Sequence, residues 1–528
     1  MSIQSPPSGQ ASPRWVARSP HWIAGVVVMA IAIGLAARGI HLEAKFFWVD
    51  EVHTTLRISG YTKEAVTDAI FHGQPVTAAS LQQYQRPNPQ KDVGDVLAAL
   101  AQHPEHPPLY YLLARWWMQL GSPGPSLDIG WLRSLSVAWG LLALPALYWC
   151  CWELFASRLV ASLALVVVAV SPLHIFYAQE AREYSLWTVT ILAATAALLR
   201  ALNRRSFRAW GLYGLTLGVG LYTHLLFGLV AIAHSLYLIG LGYWRQPTVA
   251  RAYGWTLAIA VLAFLPWVVV GVQQLDQIRA VAAATAAATS LDYLIGAWSR
   301  NLNRVFFGTD LASANLLLVL LTFWAGYVLV RHAPRRAWLL VLALVGINAL
   351  ALMIPDLLTG GIRSVRIRYL IPAYLGIQIA IAHLFAVQLN HPRRWQRWVG
   401  RGLVALVISG SVAAAIASIP NPVNWTKSDK APYYPQIVQT INAGDRPLII
   451  SDTSATYVLA LSDRLQPDRT LVLVNRPQEL EIPTGYGDLF LFDPSPRLRR
   501  VVARRVGRPP QLVIEQSQTF QLWQVPAR

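Results

Sequence analysis

Four short stretches of this sequence gather ionisable and aromatic side chains in patterns able to do chemistry, and each borders a long apolar run. The first, Phe46-Phe47-Trp48-Val49-Asp50-Glu51-Val52-His53, sets an acidic pair inside an aromatic stretch. Carboxylates at a lipid–water boundary are costly unless paired or used, so the pair marks either a functional site or the solvated start of a loop. The second, Gln102-His103-Pro104-Glu105-His106-Pro107-Pro108-Leu109-Tyr110-Tyr111, leads into an amphipathic run with Trp116 and Trp117. Its prolines end any helix before them and can open the next, and a short helix lying on a membrane surface accounts for it as well as a site does. The third, Ser171 to Tyr184, packs four ionisable groups between two apolar runs; on a helix Glu180 and Tyr184 share a face and Arg182 points elsewhere. The fourth holds Arg363, Arg366 and Arg368, followed by Tyr369. Guanidinium forks suit phosphate capture, and anchoring to anionic headgroups is the alternative.

A metal is not indicated by these residues. His103 and His106 stand at i,i+3, with His53 and the acidic pair elsewhere, but Pro104 breaks the helix that would put the two imidazoles on one face. No His-Glu-x-x-His spacing occurs. The expectation is therefore that no cofactor is required, with a divalent metal as the alternative.

The elements that position these groups follow from composition. The chain has 528 residues, 55% hydrophobic and 13% charged, with a mean hydropathy of +0.40. Soluble domains carry about 25% charge, so the apolar excess must face lipid. Eleven runs approach the roughly 20 residues that cross a bilayer as a helix: 22–40, 131–150, 159–178, 184–200, 209–223, 224–243, 252–273, 311–330, 337–355, 369–389 and 402–420. The pair from 209 to 243 is separated only by Tyr222-Thr223-His224.

Arginine placement sets the orientation, because short cytoplasmic loops are enriched in Lys and Arg. With the N-terminal segment 1–21 inside, every inside segment is basic, from Arg14 and Arg18 through Arg158, Arg204, Arg251 and Arg335 to Arg397. The net charge of +18 then reads mostly as a topology signal, and nucleic acid is not expected as a partner. The first run could instead be a cleaved signal peptide, but its length and flanks favour a retained anchor. Residues 22–420 are expected to form one transmembrane domain with a long first outer loop, 41–130, and residues 421–528 a small extracytoplasmic α/β domain. In that tail, β-rich runs such as Pro447-Leu448-Ile449-Ile450 alternate with turns such as Gly485-Tyr486-Gly487-Asp488. It has neither a GxGxxG nor a P-loop motif, so no catalysis is assigned to it. Cys150 and Cys151 are expected to be two small apolar packing residues, with palmitoylation as the alternative. The fold class is thus an all-α polytopic membrane protein of about 11 spans with a small C-terminal α/β domain.

Taken in order, FFWVDEVHT (46–54), HPPLYYLLARWW (106–117), SPLHIFYAQEAREYSL (171–186), LYTHLLFG (221–228) and RIRYLIPAYLG (366–376) resemble the GT-C glycosyltransferases of family 39 over about residues 20 to 420. That family includes protein O-mannosyltransferases, the aminoarabinose transferase of lipid A and bacterial lipopolysaccharide-core galacturonosyltransferases. The resemblance implies an inverting membrane transferase of the cell inner (plasma) membrane. Its donor is a polyprenyl-phosphate-linked sugar and its acceptor an extracytoplasmic lipid, glycan or protein. It implies Asp50 as the base for the acceptor hydroxyl, partly desolvated at the boundary, with Glu51 in support, holding an arginine or a backbone donor. Arg363, Arg366 and Arg368, with Tyr369, would neutralise the departing phosphate. Glu180 and Arg182 would line the opposite wall with Tyr184, His53, Tyr110 and His224, and His106 would orient the acceptor or the first-loop helix. A polytopic lipid or sugar transporter or flippase is the rival from another class. Such a carrier needs polar or broken helices near the midplane, whereas these runs keep their charges at the ends. A membrane scaffold presenting the tail is a third reading and leaves the acid-rich first loop unexplained.

Overall fold

The computed structural model describes residues 22–121, 127–284, 286, 289–422, 433–515 and 520–526; the N-terminal segment 1–21, with Arg14 and Arg18, lies outside the described residues. All eleven apolar runs are helical. Seven helices among the described residues are long and apolar enough to cross a membrane: Ile129–Phe155, Tyr184–Arg204, Pro247–Gln273, Ala312–His332, Arg335–Thr359, Ile367–Leu389 and Arg394–Ser418. An eighth span results if Arg158–Ala169 and Pro172–Ala178, bent by 60° at their junction, count as one. Seven to eight of the roughly eleven expected spans therefore meet this length and composition unaided. Phe207–Thr223 and Phe227–Gly240 have 17 and 14 residues, about 25 and 21 Å at 1.5 Å per residue, short of the roughly 30 Å of hydrocarbon.

Tyr184–Arg204 and Ile371–Leu389 are buried along almost their whole length and form the middle of the bundle. The other long helices show an apolar flank outward, as at Trp255, Leu317, Phe323 and Leu358. The 60° bend has a polar support. Arg38, at the end of the Trp22–Gly39 helix and buried, donates to Ala169 O at 2.5 Å and Val168 O at 3.2 Å. Carbonyls freed where a helix breaks inside a bundle need such a partner.

The outer layer is a six-stranded sheet in the order β1-β3-β2-β4-β6-β5, comprising β1 (His72–Thr77), β2 (Leu448–Ser451), β3 (Thr470–Val474), β4 (Leu489–Phe492), β5 (Gln511–Glu515) and β6 (Gln521–Val525). β2 runs parallel to β3 and β4, whereas β1, β5 and β6 pair antiparallel. β1 comes from the first outer loop, so that loop and the tail share one sheet. One sheet face, with Ile449, Leu471, Leu473, Phe490 and Phe492, packs with Phe47, Val52 and Leu56 of the first loop. The other face, with Ile450, Val472 and Leu491, is covered by the Pro496–Val506 helix. Cys150 and Cys151 are free and buried in the bundle.

Candidate active site

The site is built around the Val49–Ile58 helix, which begins immediately after the aromatic stretch. Asp50 and Glu51 sit in its first turn, where the helix dipole favours negative charge. The adjacent carboxylates point into different surroundings. Glu51 is buried and accepts two hydrogen bonds from Arg133, at 2.8 Å from Nε and 2.6 Å from Nη2, and one at 2.9 Å from the Ala181 N–H. Arg133 also donates to Leu42 O, Lys45 O and Phe46 O at 2.5, 2.9 and 3.0 Å. One buried guanidinium therefore clamps the strand of chain that leads to the acidic pair. Asp50 is half-buried, and its Oδ2 receives Arg368 Nη1 at 3.1 Å. Its backbone carbonyl accepts from Arg182 Nη1 at 3.1 Å.

The segment between Ala178 and Tyr184 is not helical, so the expected shared face of Glu180 and Tyr184 is corrected. The break turns the buried Arg182 and Glu183 toward the outer loop instead. Glu183 pairs with Arg182 at 3.2 Å, meets His106 Nδ1 at 3.1 Å, and accepts from the Tyr111 hydroxyl at 3.2 Å. Arg57 Nη1 donates to Tyr111 Oη at 3.2 Å. Burial alone would raise the Glu183 carboxyl; the Arg182 charge and the His106 hydrogen bond hold it well below the usual carboxylate range. Burial, with the charges of Arg57 and Arg182, lowers His106 to about 4, and His53 to about 3. Both imidazoles are therefore neutral near pH 7. Tyr110 lies beneath them, its hydroxyl 2.9 Å from Ser136 Oγ.

Aromatic rings close the opposite side. The Arg368 guanidinium lies 5.9 Å from the Tyr184 ring centroid and 5.4 Å from that of Tyr369. His224 stacks on Trp187 at 4.0 Å and faces Tyr184 and Tyr369 at 6.0 and 6.4 Å. Arg368 Nε is buried without a hydrogen-bond partner among the described residues, a donor available to an anion.

The structure thus brings together Asp50, Glu51, His106, Arg182, Tyr184, His224, Arg368 and Tyr369, with His53 and Tyr110 beside them. Glu180 is buried near Arg133, where its charge acts. The three arginines have different surroundings. Arg363 Nη1 is committed to the buried Asp356 at 3.2 Å, and Asp356 also takes the Ser364 N–H and hydroxyl at 2.6 and 2.7 Å. The bond set ties down the loop after the Arg335–Thr359 helix. Arg366 is exposed and pairs with no carboxylate among the described residues. Among the described residues no three His, Cys, Asp or Glu side chains group as a metal site.

Sequence reasoning missed Arg133, Glu183, Arg57 and Tyr111. Arg133 carried a signal, because a lone arginine inside an apolar span needs a carboxylate or carbonyls. Glu183 stood in the motif already singled out and was passed over for Glu180.

Residues 105–270 match the family model described as dolichyl-phosphate-mannose-protein mannosyltransferase. Among solved structures, the chain is similar to ArnT from Cupriavidus metallidurans bound to undecaprenyl phosphate, at 14% identity over 96% of this chain and 98% of that one, with a TM-score of 0.53. The same protein in the apo state gives 12%, 95%, 97% and 0.54. The Archaeoglobus fulgidus oligosaccharyltransferase in the apo form gives 13% identity over 86% of this chain and 65% of that one, with a TM-score of 0.51. No curated protein sequence matches. These likenesses show that the chain shares the membrane-embedded GT-C fold of the solved structures, while the family model matches less than half of it.

Proposed function

We propose that this protein is a membrane glycosyltransferase that moves a monosaccharide from a polyprenyl-phosphate donor to an extracytoplasmic hydroxyl, with inversion at the anomeric carbon. The observation that carries the reading is the Asp50–Arg368 contact at 3.1 Å, a candidate base and a candidate phosphate ligand facing one another at the end of the bundle. In the step envisaged, the acceptor O–H gives its proton to the Asp50 carboxylate while its oxygen attacks the anomeric carbon. The bond from that carbon to the phosphate oxygen breaks, and the electron pair leaves with the lipid phosphate. Arg368, with its unshared Nε, stabilises that charge. Glu51 and Arg133 hold the Asp50 helix in place, and Arg182, His106 and Tyr110 shape the acceptor side. No metal is assigned a part.

A donor of this kind needs room for an isoprenoid tail. A largely apolar cavity of 1420 Å³ runs between the bent pair, the Asn315–His332 helix and the Arg394–Ser418 helix, lined by Ile175, Phe176, Gln179, Leu318, Trp324 and Val407. Gln179 is two residues from Ala181, whose N–H binds Glu51. The tail is proposed to lie there, with the phosphate toward Arg368. The structure of ArnT with undecaprenyl phosphate supports this donor class by fold.

The test is Asp50→Asn in nanodiscs, incubated with a panel of polyprenyl-phosphate sugars and candidate acceptors, with free lipid phosphate measured. Turnover is expected to fall about 10²- to 10⁴-fold with donor binding retained. Near-normal turnover would remove Asp50 from the chemistry.

A further inference from the structure

The candidate site holds one more guanidinium than the transfer step uses. Arg368 stands against Asp50 at 3.1 Å, Arg133 against Glu51 at 2.6 Å and Arg182 against Glu183 at 3.2 Å, while Glu105 lies 3.5 Å from His103. Arg57 is left over. It is 6% exposed, and among the described residues it meets no carboxylate and makes one hydrogen bond, from Nη1 to Tyr111 Oη at 3.2 Å. The Tyr111 hydroxyl donates in turn to Glu183, which links the two residues without bringing a carboxylate to the guanidinium. Nε and Nη2 of Arg57 have no hydrogen-bond partner among the described residues, and neither is fully enclosed. Arg133 grips Glu51 through the same two atoms, Nε at 2.8 Å and Nη2 at 2.6 Å. Arg57 therefore leaves open the edge with which Arg133 binds a carboxylate side-on. A buried charge without an opposite one is costly, and an arriving anion would remove that cost.

Its position narrows the anion. Asp50, His53 and Arg57 follow the i, i+3, i+7 spacing of one face of the Val49–Ile58 helix. Arg57 thus lies two turns beyond the candidate base, about 10.5 Å along the axis at 1.5 Å per residue, a span that a disaccharide covers. The contacts run in one direction: Arg368 holds the Asp50 carboxylate, Arg182 joins the Asp50 carbonyl to Glu183, and Tyr111 joins Glu183 to Arg57. Arg57 therefore stands at the end of the site away from the arginine proposed for the donor phosphate. His53, between Asp50 and Arg57, and His106, beside Tyr111, are partly exposed, which leaves this face open to a substrate. One guanidinium cancels one charge. A phosphate monoester would bring a second negative charge into a buried place with nothing to balance it, whereas a carboxylate matches the planar fork in both shape and charge.

We propose that Arg57 binds a carboxylate of the acceptor, about one sugar residue away from the hydroxyl that Asp50 activates, so that the acceptor is a glycan bearing an acidic sugar. The placement of the acceptor hydroxyl rests on the transfer reading above; the affinity of Arg57 for a carboxylate does not.

The test uses the full chain in zwitterionic nanodiscs, without donor, so that binding is read apart from turnover. The probes are cellobiouronic acid, cellobiose and a cellobiose phosphate monoester, with affinities measured by saturation-transfer NMR. The acid is expected to bind about ten- to a hundredfold more tightly than cellobiose, the range of a charged hydrogen bond. Arg57→Gln should erase that preference, Arg57→Lys should keep only part of it because the charge stays and the fork is lost, and Arg368→Gln should leave it in place. Equal affinity for acid and neutral disaccharide on the parent chain overturns the proposal, whatever the variants do to folding. So does a preference lost in Arg368→Gln and kept in Arg57→Gln, which would put the acid on the phosphate site, and so does tighter binding of the phosphate monoester. A second arm compares polyprenyl-phosphate glucuronate with polyprenyl-phosphate glucose, whose affinity ratio should be the same in Arg57→Gln and the parent. A loss confined to the uronate donor would move the carboxylate to the transferred sugar and overturn the acceptor assignment. Normal turnover in Asp50→Asn, by contrast, would remove the proposed base and leave the carboxylate preference standing.

Discussion

Replacing Glu51 by Gln and Asp50 by Asn should separate architecture from chemistry at two adjacent positions. Glu51 is buried, shares two hydrogen bonds with the equally buried Arg133, and takes a third from Ala181. Removing one partner of such a pair strands the other charge, at a cost of about 3–5 kcal/mol. Arg133 would keep its three carbonyls but lose the only carboxylate it pairs with among the described residues. Asp50 and Arg368 are each 27% exposed, and a pair so open to solvent is worth about 0–1 kcal/mol. Asp50→Asn should therefore leave the folded protein nearly as stable as the parent while abolishing transfer. Glu51→Gln should lower stability by several kcal/mol and reduce activity only through the fraction that misfolds or loses the Asp50 pose. The assay is reversible unfolding in mixed micelles for both variants, for Arg133→Met, and for the double variant Glu51→Gln/Arg133→Met. Because the single changes remove the same pair, the double should cost much less than their sum. Additive losses, or an Asp50→Asn variant as unstable as Glu51→Gln, would refute the division.

Arg368→Lys keeps the charge and loses the fork, so donor affinity in nanodiscs should fall about ten- to a hundredfold; Arg363→Lys should leave donor affinity unchanged and weaken the Asp356 loop, seen as faster proteolysis there. Stability should decline as pH falls from about 6.5 toward 4, because His106 and His53 in the folded chain take up protons only near 4 and 3 whereas the unfolded chain takes them up near 6.5. A flat melting temperature across that window would contradict their burial as neutral rings, and His106→Gln should shallow the slope. A tag after Arg528 should be reached by impermeant label from outside and one in the Arg331–Arg336 loop should not; the reverse result would overturn the proposed sidedness.

The sequence was most informative where one physical demand acts alone. Lipid solvation requires long apolar helices, and each of the eleven runs was legible as such. Length decides whether a helix crosses unaided, and at 209–243 composition could not show that the two helices are short. A bend of 60° at Ser171-Pro172 was legible only as a proline near a helix end. Asp50, Arg368 and His106 were readable as candidates because charge beside lipid is rare. Their pairing was not, since Asp50 and Arg368 are 318 positions apart and only the packed bundle closes that gap. For Arg363 and Arg366 proximity along the chain suggested a cluster, and the sequence could not show the 3.2 Å bond from Arg363 to Asp356.

The strand hidden in the first outer loop bears on how the site is held. β1 pairs with β3 through His72–Val474 and Pro75–Val472, so the loop that carries Asp50 is hydrogen-bonded to the tail as well as packed on it. Beneath the shared sheet, Arg464 donates to Lys45 O at 3.3 Å, a carbonyl that Arg133 also holds. Asp463 lies next to Arg464, its carboxyl raised to about 6 by burial against the pull of Arg464 and Arg133. Lys45 itself caps the end of the Arg394–Ser418 helix by donating to Ser418 O and to Ile419 O at 3.3 Å, and it also reaches Asn421 O at 2.7 Å. The few residues before Asp50 are thus gripped from the bundle by Arg133, from the tail by Arg464 and from the last span by Lys45. A catalytic carboxylate has to keep its pose to within a fraction of an ångström for its chemistry to count, and a loop on its own does not supply that rigidity. On the proposed reading the tail needs no catalytic residue to matter for transfer: closing the sheet over the Val49–Ile58 helix would fix where Asp50 points.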